Sequence, residues 1–197
     1  TSKSAVSRRF VAQTATQLES WRTRPLDTLN LIALLIDGVV FAEHCVIVAL
    51  GIDASGRKHP LGLWSGSTEN AGTCQALLAN LQERGLRTGQ SLLVILDGSK
   101  ALRKAVRDTF GAAAWVQRCQ VHKMRNVLTH LPKTQQARVR GVMQRAYASG
   151  DATHARRVLT GLIRQLSTSY PSAAASLEEG LEETLTVLEL GVADRLR

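Results

Sequence analysis

The sequence predicts an α/β protein, a mixed sheet in the order βββαβαβ followed by an all-helical segment, and three observations carry that prediction. Two short, almost wholly apolar runs, residues 29–36 and 91–96, each stop at an Asp-Gly pair, Asp37-Gly38 and Asp97-Gly98. Such runs suit strands buried on both faces. Two further apolar runs, 45–52 and 60–64, are joined only by a turn at Asp53, Ser55 and Gly56, so the first three strands read as an antiparallel meander. Beyond Val121 the apolar residues recur with helical period alone.

The elements follow in order. Residues 4–21 place Val6, Phe10, Ala12 and Leu18 at helical spacing, and Pro25 ends a leading helix. After the meander, Asn70 or Thr73 is placed to cap a helix whose stripe is Leu77, Leu78 and Leu81, with Gly85 and Gly89 at its end. The fourth strand, 91–96, leads into a short basic helix through Arg107, and 113–118 forms the fifth strand. A meander followed by alternating helix and strand is the order of the ribonuclease-H-like fold, in which the crossover helices cover the sheet. Three amphipathic helices then follow: the first carries Val139, Val142 and Met143, the second Val158, Leu159 and Leu162, the third Leu177, Leu181, Leu185 and Leu188. Pro132, Gly150-Asp151 and Pro171 punctuate them. The expected division is a helical linker at 1–28, an α/β core at 29–131, a helical insertion at 132–190 and a terminal piece at 191–197.

A chain of 197 residues with 44% hydrophobic content buries one sizeable core. No apolar run approaches the ~20 residues of a membrane helix, and the polar, basic start is unlike a signal peptide. A soluble intracellular protein is expected. Cys45, Cys74 and Cys119 are scattered and odd in number, which points to reduced thiols. The net charge of +9 is unevenly spread: residues 98–169 hold fourteen Lys or Arg against Asp108 and Asp151, while 1–97 nearly balances and 170–197 is acidic. That concentration points to a polyanionic partner.

Asp37 and Asp97 end apolar strands and stand sixty residues apart. If those strands are neighbours, the carboxylates converge, and two close carboxylates repel unless a divalent cation neutralises them, commonly Mg²⁺ or Mn²⁺. A two-metal site of this kind activates a hydroxyl and stabilises the leaving oxygen at a phosphodiester. Either Asp-Gly pair alone is equally at home as a turn after a strand. A second constellation, Arg118-Cys119-Gln120-Val121-His122-Lys123, sets a Cys-x-x-His at the junction of the fifth strand and the next helix. It is half a zinc site, and His44, His59, His130 and His154 stand alone, so structural zinc is not expected. His122 is placed instead near the second aspartate.

These residues resemble the Mutator-type transposases, in particular the bacterial insertion-sequence branch. The resemblance rests on LLIDG at 34–38, GLWSGSTENA at 62–71, LDGSKAL at 96–102 and, most specifically, WVQRCQVHKMRNVL at 115–128, and it runs from about residue 4 to about 192. Lys3-Ser4-Ala5-Val6-Ser7-Arg8 is similar to the end of the family's helix-turn-helix.

The resemblance implies a ribonuclease-H-like core with an Asp-Asp-Glu triad interrupted by a helical insertion. Asp37 and Asp97 fit the first two positions, and the family's glutamate stretch would fall after Arg197. Glu182 and Glu183 are the nearby alternatives, although helical period places Glu178, Glu179, Glu182 and Glu183 on one face, opposite Leu177 and Leu181. The implied activity is metal-dependent cleavage of double-stranded DNA at element ends and strand transfer into target DNA, by a homo-oligomer in a synaptic complex in the bacterial cytoplasm, at the nucleoid. Other readings are a catalytically deficient DNA-binding remnant, truncated at both ends, and a ribonuclease-H-like nuclease. Lys100, Arg118, Cys119, His122, Lys123, Arg138, Arg140 and Arg145 are expected to bind DNA or support the site.

Overall fold

A computed structural model describes residues 2–41, 44–66, 71–87 and 91–192. Helix α1 (Lys3–Thr23) opens the chain, with Ser2 as its N-cap and no buried residue. Strands β1 (Leu31–Phe41), β2 (His44–Asp53) and β3 (Lys58–Gly66) form the expected meander, and α2 (Ala71–Glu83), β4 (Leu92–Leu96), α3 (Lys100–Phe110) and β5 (Ala114–Arg118) follow. The sheet order is β3-β2-β1-β4-β5; β2 is antiparallel to β1 and β3, while β4 is parallel to β1 and to β5. A mixed five-stranded sheet with helices is therefore the observed architecture.

The core lies between α2, α3 and one sheet face. Leu34, Ile36, Ile47, Val94 and Leu96 meet Leu77, Leu81, Leu102 and Val106, all buried. Alternation along the strands explains the choice: Leu34 and Ile36 of β1 and Leu92, Val94 and Leu96 of β4 are large aliphatics on that face. Arg84, at the end of α2, donates to the carbonyls of Arg24 and Leu61, tying the linker before β1 to the sheet.

Three boundaries differ from the expected ones. β1 does not stop at Asp37. It runs on to Phe41 because its antiparallel pairing with β2 continues as far as Phe41↔His44, whereas the pairing with β4 ends at Ile36↔Leu96. α3 continues past Arg107 so that Phe110 joins the core, and Gly111, at φ +57°, ends it. Thr73 lies inside the first turn of α2 rather than ahead of it; Asn70 and Gly89 lie outside the described residues.

Helices α4 (Gln120–Thr129), α5 (Lys133–Tyr147), α6 (Ala152–Ser169), α7 (Pro171–Glu178) and α8 (Thr186–Glu189) follow among the described residues. They enclose a second apolar cluster, including Val127, Val139, Met143, Leu159, Leu162, Leu177 and Leu185. The third expected helix is broken. α7 stops before Glu179, Gly180 takes φ +65°, and a 3₁₀ turn over Glu182–Thr184 precedes α8. The break lets the chain cap the outer edge of β5: Gln117 Nε2 donates to the Thr184 carbonyl, the Val187 amide donates to Gln117 Oε1, and the Thr186 hydroxyl donates to the Val116 carbonyl. An open strand edge is thereby closed.

Candidate functional site

Three parallel strands, β1, β4 and β5, deliver their sequence-predicted residues to one sheet edge. The last β1–β4 pair is Ile36↔Leu96, so Asp37, still within β1, and Asp97, directly after β4, are the residues that follow it. Ile36 and Leu96 both point into the core; alternation turns the following residue of each strand to the other side. Asp37 is exposed and Asp97 half-buried. Asp97 Oδ1 accepts from the Ser99 amide at 2.8 Å, and Gly98, at φ +114°, makes the turn into α3, whose N-cap is Ser99. Neither aspartate has an ion-pair partner among the described residues. The pair fits a hard divalent cation on donor chemistry, two neighbouring carboxylates with no Lys or Arg among the described residues engaged to neutralise them. Groups of three or more His, Cys, Asp or Glu disposed to hold a metal are absent among the described residues.

The Cys-x-x-His reaches the same edge. The Cys119 amide donates to the Leu96 carbonyl at 2.6 Å, extending β5 alongside the end of β4 and setting the first turn of α4 beside Asp97. His122 stands in that turn, half-buried, and its Nδ1 is buried without a hydrogen-bond partner. Cys119 is half-buried and reduced.

Arg118 and Lys123 turn inward, toward the helical segment. Arg118 is 7% exposed, and its guanidinium donates to the carbonyl and carboxylate of Glu179, both at 3.1 Å. The guanidinium fills the space a Cβ would need at Gly98 and at Gly180, so the turn after Asp97 and the break after α7 close on one side chain. Lys123 is fully buried, donating to the carbonyls of Ser176 and Glu179. Burial, then the neighbouring Arg118 charge, lowers its pKa to about 8 against the pull of Glu179. The Arg118 guanidinium in turn holds the Glu179 carboxyl below its usual range.

The acidic group at 178–183 does not form one face, because the helix breaks within it. Glu179 pairs with Arg118 and Lys123, Glu182 with Arg156, and Glu183 with Arg103. Lys100 opens α3 next to Asp97, while Arg138, Arg140 and Arg145 lie exposed on α5. Sequence reasoning passed over Arg103 and Arg107, which share one stripe of α3 with Lys100 and Lys104; the i, i+3, i+4, i+7 spacing in KALRKAVR was the available signal. It also passed over Gly180, whose place after two glutamates at the end of α7 was a helix-stop signal.

The Mutator-family transposase model matches residues 1–195. Curated relatives include the transposase for insertion sequence element IST2 of Acidithiobacillus ferrooxidans, 33% identical over 141 residues, covering 72% of this chain and 47% of the relative. The transposase for insertion sequence element IS256 in transposon Tn4001 of Staphylococcus aureus is 32% identical over 194 residues, 91% of this chain and 49% of the relative. That for element IS6120 of Mycolicibacterium smegmatis is 29% identical over 183 residues, 90% and 56%. The chain spans about half the length of these relatives.

Proposed function

The chain belongs to the Mutator family of transposases, and from that premise we propose that it forms part of a ribonuclease-H-like catalytic core in which Asp37 and Asp97 together bind Mg²⁺ or Mn²⁺ for cleavage and strand transfer of DNA. The observation that carries this reading is the register Ile36↔Leu96, which brings the two carboxylates to neighbouring positions. Bound there, the cation would supply Lewis-acid activation of a hydroxyl and of a phosphodiester oxygen.

The residues around it have separable tasks. The Ser99 amide and the left-handed Gly98 orient the Asp97 carboxylate. His122, half-buried in the first turn of α4 with its Nδ1 closed off from solvent, hydrogen-bonds DNA or orients a carboxylate at that edge through Nε2. The exposed arginines of α5 bind phosphates without reading bases. The partner is double-stranded DNA, at the element ends and the target, engaged by a homo-oligomer in a synaptic complex at the nucleoid.

A second reading, a DNA-binding unit deficient in catalysis when residues 1–197 act alone, is favoured by the ion pairs that engage Glu182 and Glu183. While those pairs stand, neither glutamate is free to serve as a third acidic ligand, and occupancy by a second metal falls with fewer oxygens. A cleavage assay on duplexes carrying insertion-sequence ends, in Mg²⁺ and in Mn²⁺, tests both readings. Cleavage abolished by Asp37→Asn and by Asp97→Asn supports the first. Binding without cleavage supports the second, and cleavage indifferent to both substitutions refutes the assignment of the two aspartates.

A further inference from the structure

The turn after Asp97 opens onto a cavity of about 250 Å³. Its walls carry five cations, Lys100, Arg103, Lys104, Arg107 and Arg118, against two carboxylates, Glu179 and Glu183. We propose that this cavity seats a backbone phosphate of DNA beside the position where the reacting phosphate lies, and that Glu183 guards the seat by holding Arg103. The proposal rests on the reading of Asp37 and Asp97 as the reacting centre for its location, and on its own geometry for the rest.

Four features point to an anion. The four cations of α3 lie on one stripe, opposite the buried Leu102, Ala105, Val106 and Phe110, and like charges at this spacing repel one another in the absence of counter-charge. Arg103 is paired with Glu183 and Lys104 with Asp108, whereas Lys100 and Arg107 have no ion-pair partner among the described residues. Arg118, whose side chain is 9% exposed, lines the cavity with its Nε buried and unpartnered. The N-terminus of α3 adds the positive end of an 11-residue helix, with Ser99 as its cap. No aromatic side chain lines the cavity, so a phosphate fits where a stacked base would find no platform. Glu183 is only partly exposed and sits against Arg103; a phosphate entering the seat would take over that guanidinium, which matches phosphate geometry as well as it matches a carboxylate.

The experiment measures affinity for a fluorescent 30-base-pair duplex of arbitrary sequence against NaCl, in EDTA so that no metal chemistry contributes. Neutralising one phosphate, with counterion release scaling with about the 0.9 power of salt, is worth about eightfold at 0.1 M. Lys100→Ala/Arg103→Ala/Arg107→Ala should therefore weaken binding about tenfold or more and lower the log–log slope by about one to two. Arg107→Ala alone should move both in the same direction, less far, and it serves if the triple variant fails to fold. Glu183→Gln should tighten binding several-fold, and by more than Glu178→Gln, which changes net charge equally at an exposed residue outside the cavity. An unchanged slope in Arg107→Ala and the triple variant, or equal effects of the two glutamate substitutions, overturns the proposal. Inorganic pyrophosphate should displace the duplex from the parent beyond what NaCl of equal ionic strength achieves, and lose that advantage in the triple variant; displacement equal to that by NaCl counts against a phosphate seat. Because no metal is present, these outcomes are independent of whether Asp37→Asn and Asp97→Asn abolish cleavage.

Discussion

Replacing Lys123 with methionine tests how the helical segment is held against the sheet edge. The ammonium is fully buried and donates to the Ser176 carbonyl at 2.6 Å and the Glu179 carbonyl at 2.5 Å. Its pKa is lowered to about 8 by burial and then by Arg118, so the unfolded chain, with a lysine near ~10.4, binds the proton more tightly than the folded one. Between pH 8 and 10 the unfolded state therefore holds more protons, and stability must rise with pH across that window. Integrated from pH 7 to pH 10, this single group contributes about 2–3 kcal/mol. For a domain of this size that corresponds to about 5–10 °C in melting temperature. Methionine keeps most of the volume and cannot titrate. It leaves two carbonyls unpaired, at about 1–3 kcal/mol each, while removing the cost of a buried charge. Near pH 7 the variant should thus be close to the parent or somewhat below it, and at pH 10 well below. The assay is thermal unfolding by circular dichroism at half-unit steps from pH 7 to 10, taking parent minus variant so that other titrating groups cancel. Parallel curves would refute the reasoning.

Two further outcomes follow from the same geometry. Gly180→Ala combines a left-handed residue, φ +65°, with a Cβ that collides with the Arg118 guanidinium, and should destabilise by about 2–4 kcal/mol. Gly150→Ala, at φ +73° with open space around it, should cost only about 1 kcal/mol in the same denaturant titration. Arg138→Ala/Arg140→Ala/Arg145→Ala, all exposed on α5, should weaken duplexes of different sequence by the same factor. It should also flatten the salt dependence by about 0.9 for each phosphate no longer neutralised, as read by fluorescence anisotropy on two unrelated duplexes.

The order of the sheet was legible because its signals are local. The runs that became β1 and β4 are too short and too continuously apolar for amphipathic helices, and Asp53, Ser55 and Gly56 mark a turn that the structure builds with Gly56 at φ +80°. That Asp37 and Asp97 are neighbours was an expectation conditional on β1 lying beside β4, a condition the register Ile36↔Leu96 meets. What was not legible depends on partners distant in sequence. Leu177, Leu181, Leu185 and Leu188 keep helical spacing straight through Gly180, so periodicity alone joins α7 to α8; the break is decided by Gln117, nearly seventy residues earlier, whose amide the broken segment satisfies. From sequence Lys123 and Arg118 are expected to bind DNA or support the site, and their burial, which depends on carbonyls at the end of α7, was hidden. The run of β1 beyond Asp37 was hidden by the Asp-Gly turn signal, which the pairing with β2 overrides.

Whether Asp37 and Asp97 hold one cation between them is tested most directly by Mn²⁺ binding to the purified chain, followed by electron paramagnetic resonance as free Mn²⁺ disappears. Binding should be present in the parent and abolished in Asp37→Asn and in Asp97→Asn alike, with melting temperatures held, because either amide removes a charged oxygen donor from a two-carboxylate site. Mn²⁺ binding that survives both substitutions would contradict the assignment.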